Sequence, residues 1–385
     1  MSSSTTTLPA IGVDVGFYST KFTTGRRDKS IRAVAVMQFP SVAPRISGSM
    51  KAITAADQLS GVMVDVEPGA LHFVGADVYQ VASTTGARSV TSDYSLSSDY
   101  KALFLGALHY IAKEHAVEES LQIDTLVAGL PFSTVYTHAN ELAAFIKGVH
   151  KVPHPLNPDV MLPVQILHAM VIAQPQGALV AHGVDTASSS HPDFNTLVLD
   201  MGGGTFDWFM AKGIRPNRAL SGAAPIGTLA CAAAICDEIK PGLKDNPDIM
   251  ARVDRALREG SATVRVTGRD HSMDVFEPVV SRVLADAIEQ MRKSVGSLDS
   301  VDKILVTGGG ARLMAGAFRA AQPEYAHLLE MDKEPVVSNV RGFHAIAEFQ
   351  ARNHQGSKRS AAQNQVIPSQ LGSSSLGRSE PKGGK

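Results

Sequence analysis

Ile11-Gly12-Val13-Asp14-Val15-Gly16-Phe17-Tyr18-Ser19-Thr20-Lys21 is an apolar run that meets Asp-x-Gly, turns through small and hydroxyl residues, and resumes. An apolar run that turns through glycine and continues is a β-hairpin pattern. The pattern returns far along the chain, at Leu197-Val198-Leu199-Asp200-Met201-Gly202-Gly203-Gly204-Thr205-Phe206-Asp207-Trp208. Two such hairpins set face to face can hold one phosphate chain, each giving backbone N–H groups and an aspartate turned toward a metal ion. A third element, Ile304-Leu305-Val306-Thr307-Gly308-Gly309-Gly310-Ala311, reads as strand, glycine turn and helix start.

Each turn has chemistry of its own. Gly12 and Gly16 let the backbone come close to a ligand. Asp14 suits Mg²⁺ held through water, because magnesium keeps several waters and takes few carboxylates. Ser19 and Thr20 offer hydroxyls beside Tyr18, and Lys21 offers a point charge for phosphate oxygens. Three glycines in strand context, Gly202, Gly203 and Gly204, are costly unless bare backbone is used; cradling phosphate uses it. Asp200 can orient water, or take its proton, beside a terminal phosphate, and Thr205 can bond that phosphate. Asp207 reads as a structural turn acid and Trp208, the sole tryptophan, as core. Gly308, Gly309 and Gly310 admit a flat base or sugar, and the helix N-terminus at Ala311 favours phosphate. Neither GxxxxGK[ST] nor GxGxxG occurs, so the three turns in this order carry the inference together.

Composition sets the frame. A chain of 385 residues holds about two domains. Apolar residues at 44% and charged residues at 19% fit globular cores, and a net charge of −1 argues against binding polyanions over the whole surface. Two cysteines, Cys231 and Cys236, exclude a disulfide framework and fit a reducing cytoplasm. Their Ala-rich setting makes them small core residues. No apolar run reaches membrane-spanning length, and the polar start has no basic n-region.

Along the chain, strands are expected at 10–15, 20–24 and 31–39, with a hairpin of 61–65 and 71–74 around Pro68-Gly69. Helices are expected at 100–115, 138–149 and 170–180, and strands at 125–130 and 164–167. Residues 183–195 read as a linker between lobes. Beyond the hairpin at 197–212, helices are expected after Gly227 and at 275–295, 312–321 and 340–352, with a strand at 303–306. The expected organisation is a loose tail at 1–9, a first lobe at 10–190 completed by a helix at about 338–352, a second lobe at 195–337, and a basic tail at 353–385. Between Ala351 and Lys385, Arg352, Lys358, Arg359, Arg378, Lys382 and Lys385 stand against Glu380 alone. That tail is either solvated or a weak contact for nucleic acid or an acidic partner.

The three turns, in this order, resemble those of the actin-like ATPase superfamily. Asp14-Val15-Gly16 with Thr20-Lys21, then Phe39-Pro40-Ser41 and Gly129-Leu130-Pro131, resemble the ParM/StbA-type plasmid segregation branch. Ala173-Gln174-Pro175-Gln176-Gly177-Ala178-Leu179, Thr205-Phe206-Asp207-Trp208 and Asn339-Val340-Arg341-Gly342-Phe343 resemble the actin-like proteins of the PRTRC plasmid cassette. The resemblance implies an α/β, actin-like (ribonuclease H-like) two-lobed fold with a nucleotide cleft between the lobes. It implies ATP or ADP with Mg²⁺, with Asp14 and Asp200 on the metal side. Lys21 would then touch phosphate, Gly202 to Thr205 would cradle it, and Gly308 to Gly310 would pack on adenosine. The superfamily's water-positioning Gln or Glu has no obvious counterpart here. Anchoring on Gly177 brings His168 near that place, with Gln174 the next candidate, and a neutral histidine can polarise water. Glu238 is a guess for the adenine side.

The implied function is a cytoplasmic, Mg-dependent ATPase that polymerises and acts in plasmid segregation or maintenance. Its partners would be further copies of itself and a DNA-bound, ParB-like adaptor, with no sequence-specific DNA contact of its own and no membrane. A small-molecule kinase on the same fold and a non-polymerising nucleotide switch are the alternatives, since fold alone does not choose function.

Overall fold

The computed structural model describes residues 4–28, 33–47, 59–82, 91–186 and 193–364. In the first lobe, β1 (Thr5–Val15), β2 (Ser19–Arg27) and β3 (Val34–Pro40) form an antiparallel meander. A short hairpin, β4 (Val62–Asp65) and β5 (Leu71–Val74), packs on α1 (Ser98–Glu114). Then come β6 (Ser120–Leu130), α2 (Phe132–Ile146), β7 (Gly148–Pro153), β8 (Met161–Ala173) and α3 (Gln174–Thr186). The sheet order is β3-β2-β1-β6-β8-β7, with β1, β6 and β8 parallel.

The second lobe repeats the plan. β9 (Asn195–Met201), β10 (Phe206–Lys212) and β11 (Arg215–Ala224) form the meander. They are followed by α4 (Thr228–Ile239), α5 (Pro247–Glu259), the hairpin of β12 (Thr263–Val266) and β13 (Arg269–Ser272), and α6 (Glu277–Val295). β14 (Lys303–Thr307), α7 (Ala311–Ala321) and β15 (Leu329–Met331) complete a sheet ordered β11-β10-β9-β14-β15. The last helix, α8 (Ser338–Asn364), returns to pack on β1, β6 and α3.

The central strands are buried on both faces, which is why they read as continuous apolar runs; every residue of β1 from Ala10 to Val15 is buried. α1 starts where Ser97 accepts the Tyr100 N–H at 3.2 Å, and Leu103, Phe104, Ala107, Leu108 and Ile111 fill the first core. Trp208 lies in the second core, and Cys231 and Cys236 are buried as free thiols.

Both ends of the described chain differ from expectation. Thr5 to Pro9 belong to β1, because Thr5 to Leu8 pair in parallel with Ser120 to Ile123. α8 runs to Asn364 and not to 352, since propagation of a helix already nucleated adds one hydrogen bond per residue. Residues 365–385 of the expected tail, Ile31-Arg32 of the expected strand and 187–192 of the expected linker lie outside the described residues. Two internal boundaries move as well. α2 spans Phe132–Ile146, with Gly148 and Val149 in the edge strand β7, and β8 continues to Ala173 before α3 begins. Among the described residues, no helix is long and apolar enough to cross a membrane.

One crossing accounts for several motif glycines. Phe343 is fully buried, its ring set between Gly129 of β6 and Gly177 of α3. A Cβ at Gly177 would lie 2.5 Å from the Asn339 carbonyl oxygen, and one at Gly342 would land on the Gly177 backbone. This close contact fixes the starts of α3 and α8, which carry Gln174 and Asn339.

Candidate functional site

The two Asp-x-Gly turns face each other across a cavity of about 420 Å³. Antiparallel pairing sets Lys21 opposite Asp14, with Lys21 Nζ 3.4 Å from Asp14 Oδ2. Gln174, the first residue of α3, donates from Nε2 to the other Asp14 oxygen at 2.7 Å. Across the cavity, Asn339 near the start of α8 donates from Nδ2 to Asp200 Oδ2 at 2.7 Å. Both carboxylates are nearly buried, at 3% and 5% exposure, so each amide offsets a desolvation cost.

Burial pushes the Asp200 carboxyl up to about 6, and the Asp14 charge adds to it; the Asn339 hydrogen bond and Lys21 pull the other way. Asp207, opposite Asp200 on β10, is pushed up to about 7 by burial and then by Asp200. It accepts the Phe132 N–H at 2.6 Å and does not line the cavity.

The glycine turn is held from behind. Gly202 N–H donates to the Thr205 carbonyl at 2.9 Å, while Thr228 and Leu229 at the start of α4 donate to the Gly202 and Gly203 carbonyls at 3.0 and 2.9 Å. A Cβ at Gly203 would lie 2.8 Å from Tyr18 Cβ, and one at Gly204 would lie 2.5 Å from the Phe17 ring. The two turns therefore touch, and bare backbone is what lets them. Gly308 sits at φ +88, and a Cβ there would strike the Asp200 carboxylate.

Of the residues expected at the site, Asp14, Gly16, Tyr18, Ser19, Lys21, Gln174, Asp200, Gly202, Gly203, Gly204, Thr205, Gly308 and Gly309 line this one cavity. Six expected residues do not, among them Gly12, packed on the α8 backbone at Val340 and His344, and Glu238. Thr20 is wholly buried, with its hydroxyl 2.9 Å from that of Ser41. Gly310 packs on Met201 and Thr228, and Ala311 is buried where α7 begins. His168 lies elsewhere, beside Asp124 and His354. The six residues from His168 to Gln174 span about 20 Å of extended chain, because β8 does not stop at Leu167.

Sequence reasoning missed α5, which supplies Arg255, Arg258 and Glu259 to the cavity wall. Arg258 lies over the Tyr18 ring, 4.0 Å from its centroid, and pairs through Nε with buried Asp254 at 2.8 Å. Thr228 donates to the second Asp254 oxygen. The signals for this helix are present in the sequence: Asn246 caps the Asp248 and Ile249 N–H groups, Pro247 follows, and Gly260 closes at φ +66. Glu238 is exposed and lies outside the cavity. Opposed glycine turns, paired acids, a lysine and an Arg-Tyr stack fit a nucleotide with its metal ion.

Comparison with known proteins agrees with this geometry. A model of the N-terminal domain of actin-like proteins matches residues 12–177, and a model of the C-terminal domain of archaeal MreB-like actin homologues matches residues 198–320. A chaperone HscA homologue of Pseudomonas fluorescens is 27% identical over 237 residues, covering 54% of this chain and 36% of the chaperone. The chain thus spans about a third of the length of the curated relatives it matches. The archaeal actin homologue Ta0583, solved in complex with ADP, superposes with a TM-score of 0.64 at 19% identity, over 88% of this chain and 98% of that one. A 15-stranded ParM filament from Clostridium botulinum superposes at 0.63 and 16% identity, over 90% and 99%. Two successive lobe matches on this shared fold make the chain a member of the actin-like ATPase family.

Proposed function

We propose that the chain binds ATP or ADP with Mg²⁺ in this cleft, hydrolyses ATP there, and assembles with itself into nucleotide-dependent filaments serving plasmid segregation or maintenance in the cytoplasm. The observation that carries the proposal is the pairing of Asp14 with Gln174 and of Asp200 with Asn339 across one cavity walled by bare glycine turns. Mg²⁺, when bound, would neutralise charge on the phosphates. Asp200, with its pKa near 6, is mostly ionised at neutral pH and is the residue suited to accept a proton. Gln174 has both an amide donor and an acceptor, and is the group suited to orient water. Lys21 and the turn amides hold phosphate, and the Arg258–Tyr18 stack lines the same cleft for a base.

The actin homologue solved with ADP and the ParM filament support nucleotide binding and self-association. Repetition of one chain head to tail builds an open filament. The PRTRC-like motifs favour a plasmid-linked role through a DNA-bound, ParB-like adaptor.

The test is sedimentation and light scattering with ATP, ADP and a non-hydrolysable analogue, alongside phosphate release, for the wild type and Asp200→Ala. Assembly with ATP that decays as phosphate appears, with the decay lost in the variant, is expected. ATP binding without assembly at any concentration would sink the filament and leave a nucleotide switch.

A kinase reading has one observation in its favour. A second cavity of about 310 Å³ shares Gly16, Phe17, Gln174 and Thr205 with the cleft. Among the described residues its lining holds Ser and Thr hydroxyls but no Asp, Glu or His, so an acceptor alcohol would find no base among them.

A further inference from the structure

Away from the cleft, three side chains distant in sequence come together, two of them, His168 and His354, lining one small cavity. Asp124 comes from β6, His168 from β8 and His354 from α8, and one ligand atom of each lies within 4.8 Å of the others. His354 Nδ1 is 3.7 Å from Asp124 Oδ1, and the two imidazole centroids are 4.0 Å apart at 37°. Thr125 donates to Asp124 Oδ1 at 2.9 Å, the kind of outer hydrogen bond that fixes a metal-binding carboxylate. The cavity is about 180 Å³ and also takes in Lys147 and Gln350. Among the described residues, this is the one such grouping of metal-ligating side chains.

We propose that Asp124, His168 and His354 bind a divalent transition-metal ion of the zinc class. Two imidazoles and one carboxylate suit zinc better than magnesium or calcium, which prefer all-oxygen shells. Tetrahedral zinc with bonds of about 2.1 Å sets its donors about 3.4 Å apart. The Asp124–His354 spacing is already close to that. His354 is a third exposed, so its ring can rotate to close the remainder, and a cavity beside it leaves room for water as the fourth ligand.

The consequence is mechanical. His354 lies 15 residues past Asn339, about 22 Å along α8. The start of that helix touches Asp200, so the ion would pin its far part to the sheet of the first lobe. Lys147 lines the same cavity, and its positive charge opposes the ion.

The untagged full-length chain, stripped with chelator, is titrated with Zn²⁺ by calorimetry and with Co²⁺ by visible absorption. One ion per chain is expected, with cobalt bands characteristic of nitrogen and oxygen ligation at four-coordinate metal. His168→Ala and His354→Ala should each weaken binding by at least about tenfold. Lys147→Ala should tighten it, and Asp200→Asn should leave it unchanged. Zinc should slow proteolysis after residue 352 in the wild type and not in His354→Ala. Absence of stoichiometric binding, or binding that survives both histidine variants, would overturn the site. The wild-type cobalt spectrum decides the matter even if a variant fails to fold.

Discussion

The Asp207 carboxylate on β10 accepts the Phe132 N–H at 2.6 Å and so ties the second sheet to the first turn of α2 in the first lobe. α2 has no side-chain cap of its own, since Pro131 stands at its N-cap. A carboxylate at a helix N-terminus satisfies an orphan amide and the dipole together. The cost is a second buried acid beside Asp200, which is why Asp207 is pushed up to about 7. The same residue thus ties the lobes together and sets a proton-binding group behind Asp200, outside the cavity lining.

A pH dependence of stability follows. In the ligand-free fold, Asp207 holds its proton up to about pH 7 and Asp200 up to about pH 6, against an ordinary 3.8 when unfolded. Between these limits the folded state binds more protons than the unfolded one. This contribution is complete below about pH 4 and is lost as pH rises to about 7. Asp207→Asn keeps an acceptor oxygen without the ionisation. The stability difference, variant minus wild type, should therefore grow in favour of the variant from pH 4 to 7 and then level off. Urea unfolding at a series of pH values measures it; a flat difference would contradict the buried titration.

Asp207→Ala should behave otherwise. It leaves the Phe132 amide buried without its acceptor, at a cost of about 1–3 kcal/mol. A lower urea midpoint at pH 4, where Asp207 is protonated and Asp207→Asn is near wild type, separates the lost hydrogen bond from the lost charge.

The Asp14 and Asp200 turns were legible because apolar runs broken by glycine leave a local signature. Of the residues that complete the site, Gln174 was reached only through the family resemblance and Asn339 was not assigned to it, because their placement is made by long-range pairing. Gln174 reaches Asp14 across 160 positions, and Asn339 reaches Asp200 across 139. His168 was misplaced by an early end to β8, whose Leu167 to Ile172 are all part-buried and do not alternate. β11 escaped because its first five residues are exposed and polar or charged in the main, yet its backbone pairs with β10. α5 carried complete start and stop signals at Asn246-Pro247 and Gly260, and was legible though unread.

Gln174 separates binding from turnover. Its amide holds Asp14, and it lies between the two carboxylate-bearing turns. Gln174→Ala should lower the rate of phosphate release by roughly 10²-fold or more while ADP affinity changes by a few-fold, as expected for a group that acts on the attacking water. Single-turnover release, with binding followed by calorimetry, reads both. An equal loss of affinity and rate would reduce Gln174 to a support for Asp14.

Arg258 has two partners, the Tyr18 ring and buried Asp254. Arg258→Lys keeps a charge for Asp254 and loses the flat stack, so folding should survive while ADP affinity falls. A stack of this kind is worth about 0.5–2 kcal/mol, a few-fold to about thirtyfold in Kd. Arg258→Ala should also destabilise the fold, because among the described residues Asp254 then keeps only the Thr228 hydroxyl as a side-chain partner. Unchanged ADP binding in both variants would place the base elsewhere along the cleft.

Gly342 tests whether the helix crossing governs the cleft. A methyl group there meets the Gly177 backbone, which no rotamer change can move aside. Overpacking of a rigid contact costs about 1–3 kcal/mol and shifts the elements involved. α3 and α8 would be pushed apart, drawing Gln174 and Asn339 from their carboxylates. Gly342→Ala should thus lower the urea midpoint and weaken nucleotide binding together. By contrast, alanine at Gly316, on the face of α7 where nothing lies within 4 Å, should raise stability by about 0.5–1 kcal/mol through helix propensity, with binding unchanged. If Gly342→Ala loses stability and keeps full nucleotide affinity, the crossing is scaffold only, and the two amides are set by their own local contacts.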